Sequence, residues 1–474
     1  MVTLIYCLCG IIPLLYELMR RRQLPYDGLL VLNISWIITF SVTPIVLLNV
    51  KEAEDFSENL LRYQFGSVWP PVVILMGYTA LVAGWVLGDS RWAGAGTPLR
   101  VDEKWVVLLC QLGLMVFLLA FGIYVSGYGG LRQALLLGDS IRYGTGELRG
   151  TDIAVRFLPA GSLVLYYSFF RAFVRPDARS RVFYLIGLGI ALAGMIVLLP
   201  IYSGRGYVIA LGLTMFLIFA SDRRRAHLGL GIVGVGVASV VVLFGKQLFY
   251  GLPLLIAGRG REFSDAFGDL NAHRLGDRNP LMALVKEYQH APVSLELAME
   301  VAGSELPFTW FRDFPLALMS LLPRRLLDLF MEVPDSISHI NTRLQQGLEI
   351  ASLPPGLPGH FFMCAGWLGV IGGMFAYGLV GGAVHKRLLK NCGAAPGTIV
   401  FFVLFSLLYG QFISNGDPKV YVHSDLFVIV LALGAIVIAS RFQSRRARRI
   451  FARSGDPRAG EIGAVVPIGK QSDG

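Results

Sequence analysis

Three arginine-bearing stretches carry the clearest chemistry in this chain: Ser203-Gly204-Arg205-Gly206, Gly258-Arg259-Gly260-Arg261 and Arg324-Arg325. A guanidinium keeps its charge and presents a rigid donor fork that fits phosphate oxygens two at a time. Glycines beside it let the backbone approach closely and leave amide N–H groups open to an anion. A helix starting at Gly206 would add its N-terminal dipole at the same point. The pattern reads as a cradle for phosphate or diphosphate. The plainer reading is a membrane-edge arginine whose head snorkels to lipid headgroups or pairs with a carboxylate. Groups able to take a proton from a hydroxyl are Glu262, Asp265, His290, His339 and His360. Other chemistries leave no trace: there is no DxD, no GxxxxGKS/T, no HExxH and no GxSxG. The energy for any reaction here would have to arrive preloaded in the substrate, without a metal or other cofactor.

The elements that must position these residues are membrane helices. Of 474 residues, 54% are hydrophobic and 16% charged, and the mean hydropathy is +0.60. Runs near 20 apolar residues mark membrane spans. They predict an all-α polytopic bundle of about eleven: 2–18, 28–49, 69–88, 105–127, 153–172, 182–202, 205–220, 228–248, 361–384, 398–416 and 421–440. The helices of the hairpin 182–220 are expected to be short or broken near Gly204.

Basic residues set the expected orientation. Arg20-Arg21-Arg22, the 89–104 loop, Arg171 to Arg181, Arg223-Arg224-Arg225, Lys386 to Lys390 and the tail from Arg441 fall in alternate loops. That phase predicts an N-terminus outside and a C-terminus in the cytoplasm. It puts Arg205 on the outer face. Because Arg20-Arg21-Arg22 follow the first apolar run rather than precede it, that run is expected to stay as an anchor.

Four regions follow: spans one to eight (1–248), a large outer loop (249–360), spans nine to eleven (361–440) and a basic tail (441–474). The tail is expected to be disordered and to meet anionic lipid headgroups, not nucleic acid. In the loop, LMALVKEYQHAPVSLELAMEVA (281–302) and WFRDFPLALMSLLPRRLLDLF (310–330) are apolar at helical spacing. They predict short helices lying at the interface or capping the bundle. Pro354-Pro355-Gly356-Leu357-Pro358 forces a turn before span nine. Cys7, Cys9, Cys110, Cys364 and Cys392 form no CxxC pair and no metal spacing, so they read as packing residues.

The outer SGRG tip, the arginine-bearing loop and the stretch from Pro323-Arg324 through Val333-Pro334-Asp335-Ser336 to Leu353-Pro354-Pro355 and FFMCAGWLGVIGGMFAYGLVGG (361–382) form one pattern. It resembles bacterial oligosaccharide repeat-unit polymerases, the Wzy-type O-antigen and exopolysaccharide polymerases. The resemblance covers most of the chain by topology and residues 203–206 and 323–382 by motif. It implies a GT-C-like, metal-independent glycosyltransferase in the bacterial inner membrane with its site facing the periplasm. Its partners would be an undecaprenyl diphosphate-linked oligosaccharide, membrane lipids and a chain-length regulator. The diphosphate role then falls to Arg205, with Arg259 and Arg261 as rival partners and Arg324 and Arg325 as further candidates. The catalytic candidates are Glu262, His339 and His360. Family members often carry a glutamate before the helix matching span nine, where this chain has Gly359-His360.

Two alternatives compete. Ser338-His339-Ile340-Asn341 resembles a histidine–asparagine pair of O-antigen ligases, which hand the glycan to a lipid A core. A transporter of polysaccharide or lipid-linked sugar would instead place charges along mid-span helices. Here ionisable residues crowd one face.

Overall fold

A computed structural model of the chain describes residues 1–22, 24, 26–49, 67–94, 103–142, 152–155, 157–178, 180–202, 205–223, 254–255, 258–260, 285, 288–320, 322, 335–347, 353–392 and 397–422. Its described residues are helical, with no strand among them. The helices are α1 Val2–Met19, α2 Gly28–Asn49, α3 Trp69–Gly94, α4 Glu103–Gly127, α5 Leu131–Arg142, α6 Ala160–Val174, α7 Arg181–Tyr202 and α8 Arg205–Arg223. They continue with α9 His290–Val301, α10 Asp313–Met319, α11 Ile337–Gln346, α12 Gly356–Cys392 and α13 Thr398–Asn415.

Six of the described helices are long and apolar enough to cross a membrane: α1, α2, α3, α4, α12 and α13. They correspond to predicted spans one to four, nine and ten. Shorter apolar stretches, Ala160–Val174, Arg181–Met195 and Leu211–Asp222, fall where spans five to seven were expected. Spans eight (228–248) and eleven (421–440) and the tail lie outside the described residues, apart from the first two positions of span eleven.

Local chemistry explains the departures from regular helix. Asp27 caps α2, accepting from the Leu30 N–H at 2.9 Å. Pro44 has no N–H to continue the ladder. The helix widens into a π-turn over Ile38–Val42 just before it, where the Thr43 hydroxyl donates to the Ile38 carbonyl. A second π-turn, Phe170–Val174, ends α6.

The tightest packing is between α3 and α12. A side chain added at Gly84 or Gly88 would strike the backbone of Phe375 or Leu379, and one added at Gly378 or Gly382 would strike that of Leu81 or Trp85. Each helix thus offers two glycines four residues apart, and the two backbones interlock. Small residues at this spacing are what permits close helix contact in lipid, where apolar area alone gives no preference for protein over acyl chain.

Helix α12 is broken at Ala365 (φ −159°, ψ 32°) and Gly366 (φ 60°, ψ −141°). Gly366 occupies a left-handed backbone region that glycine adopts without strain. The segment Gly356–Cys364 folds back there, so that the Phe361 carbonyl and ring close on Gly369 and Gly373. The predicted span 361–384 is therefore two helices. Its first residues belong to a short element beside the bundle, because the Ala365-Gly366 break lies inside the apolar run.

The bundle has two distinct ends. Gly28 lies beside Trp85, His385 and Ser406 at one, while Gly356 meets Phe40 and Ala291 at the other. The second end also receives α9, whose Val293, Leu295 and Ala298 are fully buried, together with α10 and α11.

Candidate functional site

At this second end, α10, the start of α11 and the turn after α13 line a cleft. It is lined by Asp313, Ser320, Asp335, Ser336, Asp417 and Lys419, with Leu316, Ala317 and Ile337 as its apolar wall. Asp313 is the first residue of α10, where a carboxylate suits the helix dipole. His360 is on the folded-back segment of α12, 47 positions later, and its Nε2 lies 3.2 Å from Asp313 Oδ2.

Several contacts fix this pair. The Thr309 and Trp310 N–H groups donate to the Met363 and Cys364 carbonyls at 3.1 and 3.0 Å. They satisfy carbonyls that the break at Ala365-Gly366 would otherwise leave open. The Thr309 hydroxyl reaches Cys364 Sγ at 3.3 Å. Trp310 (φ 51°) and Phe311 (φ 61°) follow in the left-handed region. That conformation is strained for bulky side chains and persists only where surrounding contacts impose it. It turns the chain so that α10 starts against His360. The rings of Phe314 and Phe361 then flank the imidazole at centroid distances of 5.5 and 5.8 Å.

The two partners differ in access. The His360 side chain is 0% exposed and that of Asp313 16%, so the carboxylate faces the cleft and the imidazole stands behind it. Burial pushes the Asp313 carboxyl up, but the His360 imidazole outweighs it and holds the group below the usual carboxylate range. Asp313 is therefore an ionised acceptor at neutral pH, aimed by a buried histidine.

The opposite wall is built around Asp417. Gly416 (φ 67°) ends α13, and a Cβ there would strike the backbone of Gly356. The turn thus seats directly against the start of α12. Asp417 accepts from the Lys419 N–H at 2.8 Å and the Val420 N–H at 3.3 Å with Oδ1, and from the Ser338 N–H at 3.1 Å with Oδ2. Its acceptor capacity is spent on holding the walls together.

The sequence candidates fall as follows. His339 is half-buried on α11, with Nδ1 2.8 Å from the Ser336 hydroxyl that caps that helix. Asn341, the other half of the ligase-like pair, is fully buried; it donates to the Leu353 carbonyl at 2.8 Å and accepts from Gln345 at 3.1 Å. Its amide is committed to structure. His290 opens α9, and its carbonyl accepts from the Ser294 hydroxyl at 2.5 Å. Arg259 is exposed on a turn, its N–H donating to the Leu254 carbonyl. Arg261, Glu262, Asp265, Arg324 and Arg325 lie outside the described residues.

Arg205 is the first residue of α8. The Tyr26–Phe216 ring contact (5.6 Å) and the Arg175–Asp222 ion pair (2.8 Å) hold the later part of α8 at the Asp27 end. Eleven residues separate Phe216 from Arg205, a rise of about 16 Å, so α8 runs from Arg205 toward that end.

Sequence reading passed over Asp313 and the Asp417 turn. Asp313 is masked by its apolar surroundings in Trp310-Phe311-Arg312-Asp313-Phe314, and nothing local ties it to His360. The available signal was positional: an acidic residue two places before Pro315 marks a helix start. Cys364 was read as packing alone, yet it sits four residues after His360 on the same segment, beside Asp313. The Asp313, His360 and Cys364 donor atoms lie within 4.8 Å of one another.

No family model, no curated protein and no solved structure matches the chain.

Proposed function

We propose that this chain is a metal-independent glycosyltransferase that polymerises lipid-linked oligosaccharide repeat units on the outer face of a bacterial inner membrane. The observation that carries this reading is the Asp313–His360 pair at the cleft, 3.2 Å apart with only the carboxylate exposed. A hydroxyl of the acceptor sugar attacks the anomeric carbon of the donor glycan as its bond to undecaprenyl diphosphate breaks. Asp313 accepts the hydroxyl proton. His360 positions that carboxylate and keeps it ionised. The departing diphosphate gathers charge, which preorganised arginines neutralise best in a water-poor site. Arg205 takes that role on the strength of its SGRG context and its place at the helix start, with Arg259 or Arg261 as its partner.

A ligase-like transfer to a lipid A core is the second reading, and the commitment of Asn341 to Leu353 and Gln345 does not favour it. Purified protein given lipid-linked repeat units alone separates the two. A ladder of chain lengths supports polymerisation; product only when a core acceptor is added overturns it. Arg205→Lys keeps the charge and loses the fork. It should shorten the polymer sharply at unchanged protein level, and normal polymer would remove Arg205 from the site.

A further inference from the structure

We propose that Asp313, His360 and Cys364 form a binding site for a divalent transition-metal ion of the zinc type, one that blocks the cleft when filled. The donor set is one carboxylate oxygen, one imidazole nitrogen and one thiol sulfur. Three protein ligands of these types with an open fourth position are what zinc takes at reactive sites, and borderline donors of this kind exclude magnesium and calcium.

The geometry carries the assignment beyond donor type. His360 and Cys364 are four residues apart on one helical segment, a spacing that puts both on one face. Asp313 arrives from a different segment, turned there by the left-handed Trp310 and Phe311. The 3.2 Å between His360 Nε2 and Asp313 Oδ2 matches the edge of a tetrahedron with metal–ligand bonds near 2.0 Å, about 3.3 Å. All three donors lie within 4.8 Å, so closure on the sulfur needs a shift of about an ångström to reach normal zinc–sulfur bonding. A second observation points the same way. His360 Nδ1 is buried without a hydrogen-bond partner, so it is free to hold the ring proton when Nε2 turns from serving Asp313 to binding a cation. His360 and Cys364 are both 0% exposed, whereas Asp313 opens onto the cleft, leaving the fourth position to water or substrate.

Binding would displace the thiol proton to solvent, leave the His360 ring proton on Nδ1, and occupy the carboxylate lone pair that takes the acceptor proton. The consequence for activity rests on the polymerase reading; the binding itself does not.

The test uses the full chain, purified in nanodiscs without thiol reductant. Equilibrium dialysis against micromolar zinc, read by elemental analysis, should find one ion per chain. Cobalt(II) should give a thiolate-to-metal charge-transfer band. Cys364→Ser and His360→Gln should each lower the affinity at least tenfold and remove the band. Cys364→Ser leaves the Asp313–His360 pair in place and serves where His360→Gln fails to fold. Absence of bound metal, or binding and band unchanged in Cys364→Ser, overturns the site. In the ladder assay, zinc should stop the wild type and spare Cys364→Ser, while a chelator leaves the basal rate unchanged. Equal inhibition of both proteins, or loss of basal activity on chelation, overturns the blocking role. Failure of the polymerase reading shows instead as no ladder at all, with metal binding unaffected.

Discussion

The Asp27 and Asp313 carboxylates, at the two ends of the bundle, are held in opposite ways. At one, Arg20 lies 2.6 and 2.5 Å from the two carboxylate oxygens of Asp27 and 2.8 Å from Glu17, while Arg22 and Asn33 close on the same glutamate. Lys386 and His385 gather on Asp89 nearby. Each carboxylate there faces a cation across a few ångströms. At the other end, the carboxylate of Asp313 lines the cleft and pairs with a histidine instead of a lysine or arginine. A closed set of charges stitches helices together; an ionised carboxylate turned to a cleft, with strained backbone behind it, is the arrangement on which the proposed chemistry rests.

That contrast can be broken by substitution, and the largest effect belongs to the cleft. Asp313→Asn keeps the shape and removes the acceptor. Activity should fall by about 10²- to 10⁴-fold, with a melting temperature lowered by less than in Asp27→Asn. At the other end Asp27→Asn should do the reverse. It leaves Arg20, 15% exposed, without its bidentate partner, and breaking a buried pair costs about 3–5 kcal/mol. Thermal unfolding in detergent should drop accordingly, while activity per folded molecule holds. If Asp27→Asn abolished activity in well-folded protein, the division between the ends would be lost.

A smaller effect separates both ends from the scaffold between them. Gly84→Ala forces a methyl group against the Phe375 backbone, and overpacking of this kind costs about 1–3 kcal/mol. Unfolding of this variant should report stability loss without a change in the pH profile of activity. The smallest effect is on acid stability. The Asp27 and Asp313 carboxyls are both pushed up by burial and held below the usual range by Arg20 and His360 respectively. Each contributes stability that is full above the unfolded value of about 3.9 and lost as pH falls through the lower folded value. The melting temperature of wild type should therefore fall more steeply below pH 4 than that of Asp27→Asn.

The helical membrane architecture was legible because span length and apolar composition are local properties, and α1 to α4 and α13 lie where the apolar runs do. The break in α12 was hidden, since Ala365-Gly366 sits inside an unbroken apolar run and only the fold-back of Phe361 onto Gly369 shows its purpose. His360 was legible as a candidate because it stands beside a predicted helix start. Its partner was not: the pairing with Asp313 depends on a chain reversal at Trp310-Phe311, whose positive φ values no propensity predicts for aromatic residues. Asp417 was hidden for a similar reason, as its contact with Ser338 joins segments 79 positions apart.

The central claim is that the chemistry sits at the Asp313 end and consists of extending a lipid-linked glycan. The direct measurement is the chain-length ladder formed by purified wild type and Asp313→Asn from lipid-linked repeat units, at equal amounts of folded protein. The account predicts a ladder from the wild type and single unextended units from the variant. A ladder of equal length and rate from Asp313→Asn would contradict it.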